Sequence, residues 1–350
     1  MDVELHNFIK VWTLAITSFC YCFYVSARLV PKGMLRLISL LPIFFLFLIL
    51  PLNLSSFHLC GPTAFFLAWL ASFKLLLFCF DQGPLSPPPP SVFHFISIAS
   101  LPIKTKRNPI QNKALPPQSS SSGYAKSILL AVKILLLAVL FHSYNYKQHL
   151  HKNLILAMYC VHTYLELEIV LATSAIPARA IFGFEIQPQF NEPYLATSLQ
   201  DFWGHRWNLM VTSILRPTVY HPIRRISTHI VRPRWISLPA VIAVFVVSGL
   251  MHELIYYYIT RVYPTWEVTW FFILQGVAVA IEVVAKKVTP VNWKLPPVVS
   301  GPLALGFVAV TGFWLFFPQL LRNGVDEKAI GEYFMLVDFI KNHVLPFPSN

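Results

Sequence analysis

In F-V-V-S-G-L-M-H-E-L, Phe245 to Leu254, His252 stands inside an otherwise apolar run. On a helix, Ser248 and Tyr256 share its face at i−4 and i+4. An imidazole can take a proton from a hydroxyl near neutral pH, a role worth about 10²- to 10⁴-fold in rate. Upstream, S-L-Q-D-F-W-G-H-R-W-N, Ser198 to Asn208, gathers a carboxylate, an imidazole, a guanidinium and an amide between indole rings. If that run is helical, Asp201 and His205 pair at i, i+4, as do Gly204 and Asn208, so carboxylate and amide lie on different faces. The residues alone leave two readings of His252 open: a structural imidazole bonded to a neighbouring helix, or a proton acceptor. Asn208 has the same ambiguity, as a helix-capping amide or a donor to substrate.

The chemistry these residues exclude is informative. Glu253 follows His252, but position 256 is Tyr, so the H-E-x-x-H spacing of a zinc protease is missing and no metal is expected. There is no G-x-S-x-G elbow, and the five cysteines (Cys20, Cys22, Cys60, Cys79, Cys160) all lie in apolar segments, without C-x-x-C pairing. With no activated nucleophile in view, direct attack by a substrate hydroxyl fits better than a covalent enzyme intermediate.

Membrane-spanning helices must position these groups. Of the 350 residues, 56% are hydrophobic and 12% charged, about half the charged share of a soluble domain. Apolar runs near 8–28, 34–52, 58–80, 125–144, 153–176, 236–259, 266–285 and 299–320 predict about eight spans in one all-α, polytopic domain covering 1–350. The basic connections alternate with weakly charged ones. Arg28, Lys32 and Arg36, then the stretch 81–124, then 177–235 with seven arginines against three acids, then Lys286, Lys287 and Lys294, all fall on one side, which the positive-inside rule makes cytosolic. The stretch 81–124, with Pro87 to Pro90 and Ser119 to Ser122, reads as a flexible cytosolic linker. The stretch 177–235, mixing aromatics with arginines and ending its segments at Pro217, Pro222 and Pro233, reads as interfacial or re-entrant helices. His162, Glu166, Glu168 and Glu282 are further polar groups within the apolar runs, suited to joining helices or lining a tunnel.

A net charge of +12 is scattered between apolar helices and forms no basic domain, so nucleic acid is not an expected partner. Membrane lipids or a phosphorylated substrate are.

The runs Asn191 to Val211 and Phe245 to Glu253 resemble those of the plant wax synthases, long-chain-alcohol O-fatty-acyltransferases of the membrane-bound O-acyltransferase superfamily. The likeness extends to L-P-L-N-L-S-S-F-H-L-C-G-P-T-A near the start and G-F-W-L-F-F-P-Q-L near the end. It implies an endoplasmic-reticulum enzyme that moves a fatty acyl group from acyl-coenzyme A to a long-chain alcohol, with acyl-coenzyme A as substrate and no cofactor. It also implies an active-site pair at Asn208 and His252, with His252 as general base and Asn208 serving either the oxyanion or the alcohol. Trp203, His205, Arg206 and Trp207 around the first motif, and Ser248 and Tyr256 beside the second, become candidate substrate contacts. Among the basic residues Arg206, Arg216, Arg224, Arg225, Arg232 and Arg234, suited to coenzyme A phosphates or to lipid head groups, Arg206 is the one inside the motif. One departure is visible, since the family reads F-W-G-R-R-W-N and position 205 here is His. Two rivals remain: a sterol or another lipid alcohol as acceptor, and a proton-coupled transporter, for which the internal repeats of many transporters are absent.

Overall fold

The computed structural model describes residues 2–103, 121–174, 176–182, 188–288 and 295–343. Its elements run α1 (Asp2–Tyr21), α2 (Met34–Ile49), α3 (Phe57–Ala64), α4 (Ser72–Cys79), α5 (Val92–Ser100), α6 (Ser121–Tyr144), α7 (Lys152–Ser174) and α8 (Ile176–Phe182). There follow α9 (Leu199–Asp201), α10 (Leu209–Leu215), α11 (His221–Ser227), α12 (Ser237–Thr260), α13 (Glu267–Val288), α14 (Pro297–Thr311), α15 (Phe317–Arg322) and α16 (Val325–His343). Stretches of wider, π-type winding at Cys22–Ser26, Phe65–Ala71, Phe202–Arg206, Arg216–Tyr220 and Gly312–Phe316 extend or join these helices. A helix satisfies its own backbone in hydrocarbon, which is why the long apolar runs of this chain are helical among the described residues.

Seven helical stretches are long and apolar enough to cross a bilayer: Val3–Ser26, Met34–Asn53, Phe57–Cys79, Lys152–Ser174, Ser237–Thr260, Glu267–Val288 and Pro297–Arg322. The eighth expected span falls on α6, whose described apolar part, Ile128–Tyr144, is shorter than the others. The chain is thus an all-helical, multi-pass membrane protein.

The stretch 81–124 differs from the flexible linker expected of it. Its residues Val92–Ser100 form α5, with Phe95, Ile98 and Ala99 buried in an apolar core shared with residues of α1, α2 and α4. Lys74 of α4 is fully buried beneath this helix, and its Nζ donates to the carbonyls of Ile98 (2.5 Å) and Leu101 (2.6 Å), two groups that the end of a helix leaves open. The sequence could not announce this, because the Pro and Ser composition on either side conceals nine residues that find their apolar partners elsewhere. The remainder, 104–120, lies outside the described residues.

Carboxylates anchor the other end of the bundle. Glu4 accepts from the backbone of Ser55 and Ser56, and Glu332 of α16 accepts from Phe57 and His58, so the first turn of α3 is closed by side chains from two other helices. Arg261 Nη2 donates to the carbonyls of Pro51, Leu52 and Leu54. His58 lies between Glu332 (2.8 Å) and Glu166 (3.3 Å), with His162 on the far side of Glu166 (3.4 Å). Lys133 pairs with Glu168 across α6 and α7 at 2.6 Å. These charged groups therefore join helices.

The antiparallel pair α12 and α13 forms the centre. It packs closely because two glycines allow it: a Cβ on Gly249 would lie 3.0 Å from Thr269 Cα, and one on Gly276 would lie 2.8 Å from Phe245 Cβ. Glu253 closes the junction by accepting from the Thr269 backbone.

Candidate active site

Three rings surround His252 on α12. Trp69 meets it edge-on at 5.2 Å, Phe272 stacks on it at 4.2 Å and 29°, and Phe316 stands at 6.1 Å. Trp69 and Phe316 belong to two of the π-type stretches, Phe65–Ala71 and Gly312–Phe316. An added residue per turn turns a side chain off the face that a 3.6-residue period assigns, and such bulges gather at functional sites. Hydrophobic periodicity in the sequence carries no sign of this, so neither ring was named from it.

Hydrogen bonding orients the imidazole. Its Nδ1 lies 2.7 Å from the carbonyl oxygen of Ser248. A carbonyl only accepts, so Nδ1 carries the proton and Nε2 presents a lone pair. Among the described residues Nε2 has no hydrogen-bonding partner, and His252 retains intermediate accessibility amid its rings. Ser248, expected beside the base, acts through its backbone. Tyr256 sits one turn on with its hydroxyl donating to the Phe316 carbonyl at 2.9 Å, which steadies the bulge that carries Phe316.

The upstream motif is not the continuous helix its spacing suggested. Leu199–Asp201 opens one helical turn, Phe202–Arg206 widens it, Trp207 is extended, and Asn208 adopts the left-handed conformation with φ 38°. Asn is one of few residues that enter this region readily. From there its Oδ1 accepts from the Val211 backbone at 3.3 Å, capping α10. With the acceptor side of the amide so occupied, Nδ2 is left as a double donor, and it has no protein partner among the described residues. Asn208 is therefore both a cap and a free donor.

The motif descends along α13. Glu282 near the end of α13 accepts from the backbone of Leu199 and Gln200, while Trp203 bonds Gln275 and touches Phe272. Those anchor points are separated by roughly 10 Å of helix rise, so the segment follows α13 for about two turns. Trp203 touches Phe272 at 5.9 Å, on the ring that stacks against His252. Trp207 stacks on Phe202 and reaches Tyr164 and Phe190. Through two rings, then, the element capped by Asn208 and the helix bearing His252 are in mechanical contact.

Two candidates take other roles. Arg206 donates from Nε to Asp201 at 2.7 Å and from Nη1 to the carbonyls of Asn191 and Glu192. It clamps the motif to the segment just before it, at Asn191 and Glu192, and is committed within the protein. His205 faces outward, 69% exposed at its side chain, with Asp201 at 3.8 Å. Arg216, Arg224, Arg225, Arg232 and Arg234 are exposed, and Arg234 exchanges hydrogen bonds with Lys287 at the end of α13. Among the described residues no group of His, Cys, Asp and Glu is arranged to hold a metal ion.

Residues 186–274, which include both Asn208 and His252, match the model of the membrane bound O-acyl transferase family. The chain is 49% identical over 345 residues to a long-chain-alcohol O-fatty-acyltransferase of Simmondsia chinensis, covering 99% of this chain and 98% of that one. It is 50% identical over 343 residues to the probable long-chain-alcohol O-fatty-acyltransferase 1 of Arabidopsis thaliana, at 97% and 98% coverage. It is 45% identical over 329 residues to the acyl-CoA–sterol O-acyltransferase 1 of the same plant, at 93% and 94%.

Proposed function

This chain belongs to the membrane-bound O-acyltransferase family, and on that premise we propose that it transfers a fatty acyl group from acyl-coenzyme A to a long-chain alcohol, forming a wax ester. The observation that carries the chemistry is the state of His252, whose Nδ1 proton is held by the Ser248 carbonyl so that Nε2 can accept one. As the alcohol oxygen bonds to the thioester carbonyl carbon, Nε2 takes the hydroxyl proton. Charge then builds on the carbonyl oxygen, and the free Nδ2 of Asn208 donates to it. A donor on the alcohol oxygen would weaken the nucleophile, so the oxyanion is the better assignment. As the tetrahedral intermediate collapses, the C–S bond breaks and the imidazolium returns its proton to the departing thiolate. Electrons and protons balance without a cofactor. One oxyanion donor is typically worth 10²- to 10³-fold, the base 10²- to 10⁴-fold.

The exposed arginines of the segment 216–234 are the groups that fit coenzyme A phosphates, by the bidentate chemistry of guanidinium. Arg206, already engaged, is not among them. The alcohol enters from the bilayer. We propose the endoplasmic reticulum as the compartment, which tagging the chain and imaging it beside a resident marker would test. A second acceptor, a sterol, is favoured by the likeness to a sterol acyltransferase.

The experiment uses membranes from a host lacking neutral-lipid acyltransferases, expressing this chain or His252→Ala, with labelled acyl-coenzyme A and hexadecanol, a sterol and diacylglycerol in competition. Wax ester from the unaltered chain alone supports the reading. Sterol ester keeps the mechanism and changes the acceptor; equal product from His252→Ala removes the base.

A further inference from the structure

Gln275 on α13 is fully buried at 0% exposure, an uncharged amide in the middle of a membrane span. An amide in hydrocarbon is costly unless both of its ends are bonded, and polar groups retained there mark function more often than elsewhere. Both ends are bonded here, and each partner allows one orientation. Thr311 of α14 donates its hydroxyl proton to the Phe307 carbonyl at 2.7 Å, so its oxygen must accept the Gln275 Nε2 hydrogen at 2.8 Å. Gln275 Oε1 then faces the indole of Trp203, which can only donate, at 3.1 Å. The chain Phe307, Thr311, Gln275, Trp203 runs in a single direction.

Rings also surround Trp203: Phe202 at 4.9 Å, Phe245 at 5.7 Å, Phe272 at 5.9 Å, and Phe271 and Trp207 each at 6.3 Å. Ring contacts enclose an indole but fix its rotation weakly; a directed hydrogen bond fixes it well. Trp203 is tied onward to the element that carries Asn208, since its carbonyl accepts from Thr212 at 3.5 Å and Thr212 lies in the first turn capped by Asn208. On the other side, Phe272, one turn before Gln275, is the ring stacked on His252.

We propose that Gln275 is a positioning residue, setting the separation of Asn208 from His252 through the indole of Trp203. The inference rests on the reading that these two side chains serve one reaction. A displacement near 1 Å at such a pair costs about 10²-fold.

The test measures kcat and the KM for acyl-coenzyme A and for hexadecanol, at equal amounts of folded protein judged by size-exclusion chromatography in detergent. Gln275→Leu is expected to lower kcat about 10- to 100-fold with both KM values within about twofold. Because both residues act through one bond, Trp203→Phe with Gln275→Leu is expected to lose no more than the worse single variant. Losses that multiply, or an unchanged kcat in Gln275→Leu, would overturn the proposal. Thr311→Val, which frees the amide to turn while leaving Trp203 its partner, is read the same way should Gln275→Leu fail to accumulate: a fall in kcat without a change in KM supports the proposal and normal kcat overturns it. His252→Ala runs alongside, and full activity there would sink the two-residue site itself, independently of what Gln275 does.

Discussion

One amide of Asn208 serves the helix cap and the proposed donation to the oxyanion, and Asn208→Asp separates the two. In the structure Oδ1 caps α10 through Val211 while Nδ2 is free. Aspartate keeps an oxygen for the cap and, like Asn, tolerates φ 38°, so the fold is retained. The donor is gone, and a negative charge stands where the proposed mechanism puts the oxyanion. Loss of one oxyanion donor alone costs about 2.7–4 kcal/mol in the barrier, so kcat should fall at least 10²- to 10³-fold. Asn208→Ala removes the donor and also the cap, worth about 0.5–2 kcal/mol of stability. It should therefore lose as much activity and melt earlier as well. The assay is wax-ester formation from labelled acyl-coenzyme A and hexadecanol in detergent micelles, with melting followed on the same samples. Activity of Asn208→Asp within about fivefold of the unaltered chain, at matched melting temperature, would refute the donor role and leave Asn208 as a cap only.

Other consequences follow from the same geometry. His252→Gln retains a polar side chain but no base, and kcat is expected to fall about 10²- to 10⁴-fold with normal expression; a matching fall in the rate of ester formation in a single-turnover experiment checks that the chemical step is affected. Gly276→Ala places a methyl 2.8 Å from Phe245 Cβ, an overpacking worth about 1–3 kcal/mol, and the melting temperature should drop before KM changes. Glu332 lies outside the spans. Burial there raises its pKa, but bonds from the His58 side chain and backbone, Ser56 and Phe57 outweigh it and hold the carboxyl down at about 2. A lowered folded pKa stabilises above the ordinary carboxylate value and is lost as pH falls toward the folded one. Melting temperature should decline between about pH 4.3 and pH 2, and Glu332→Gln should flatten that slope while lowering stability at pH 7.

Much of this protein was legible before folding was considered. Long apolar runs leave no alternative to helices in hydrocarbon, so the spans followed from composition and length, and a lone imidazole inside one of them drew attention because burying it without purpose is expensive. Resemblance across two motifs then implied Asn208 as the partner of that imidazole, the pairing that the variants above test. Tertiary structure decided what periodicity cannot encode. The π-type stretches turn Trp69 and Phe316 toward His252, and no 3.6-residue count reaches them. Arg206, a plausible phosphate ligand by residue type, is taken by Asp201 and two carbonyls, because a guanidinium bonds whatever acceptors the fold brings near. A short apolar helix hidden among prolines, Val92–Ser100, found its place only against the buried Lys74. Which elements pack against which was settled by contacts between residues far apart in the chain; that is where the sequence, read along its length, holds the parts without their arrangement.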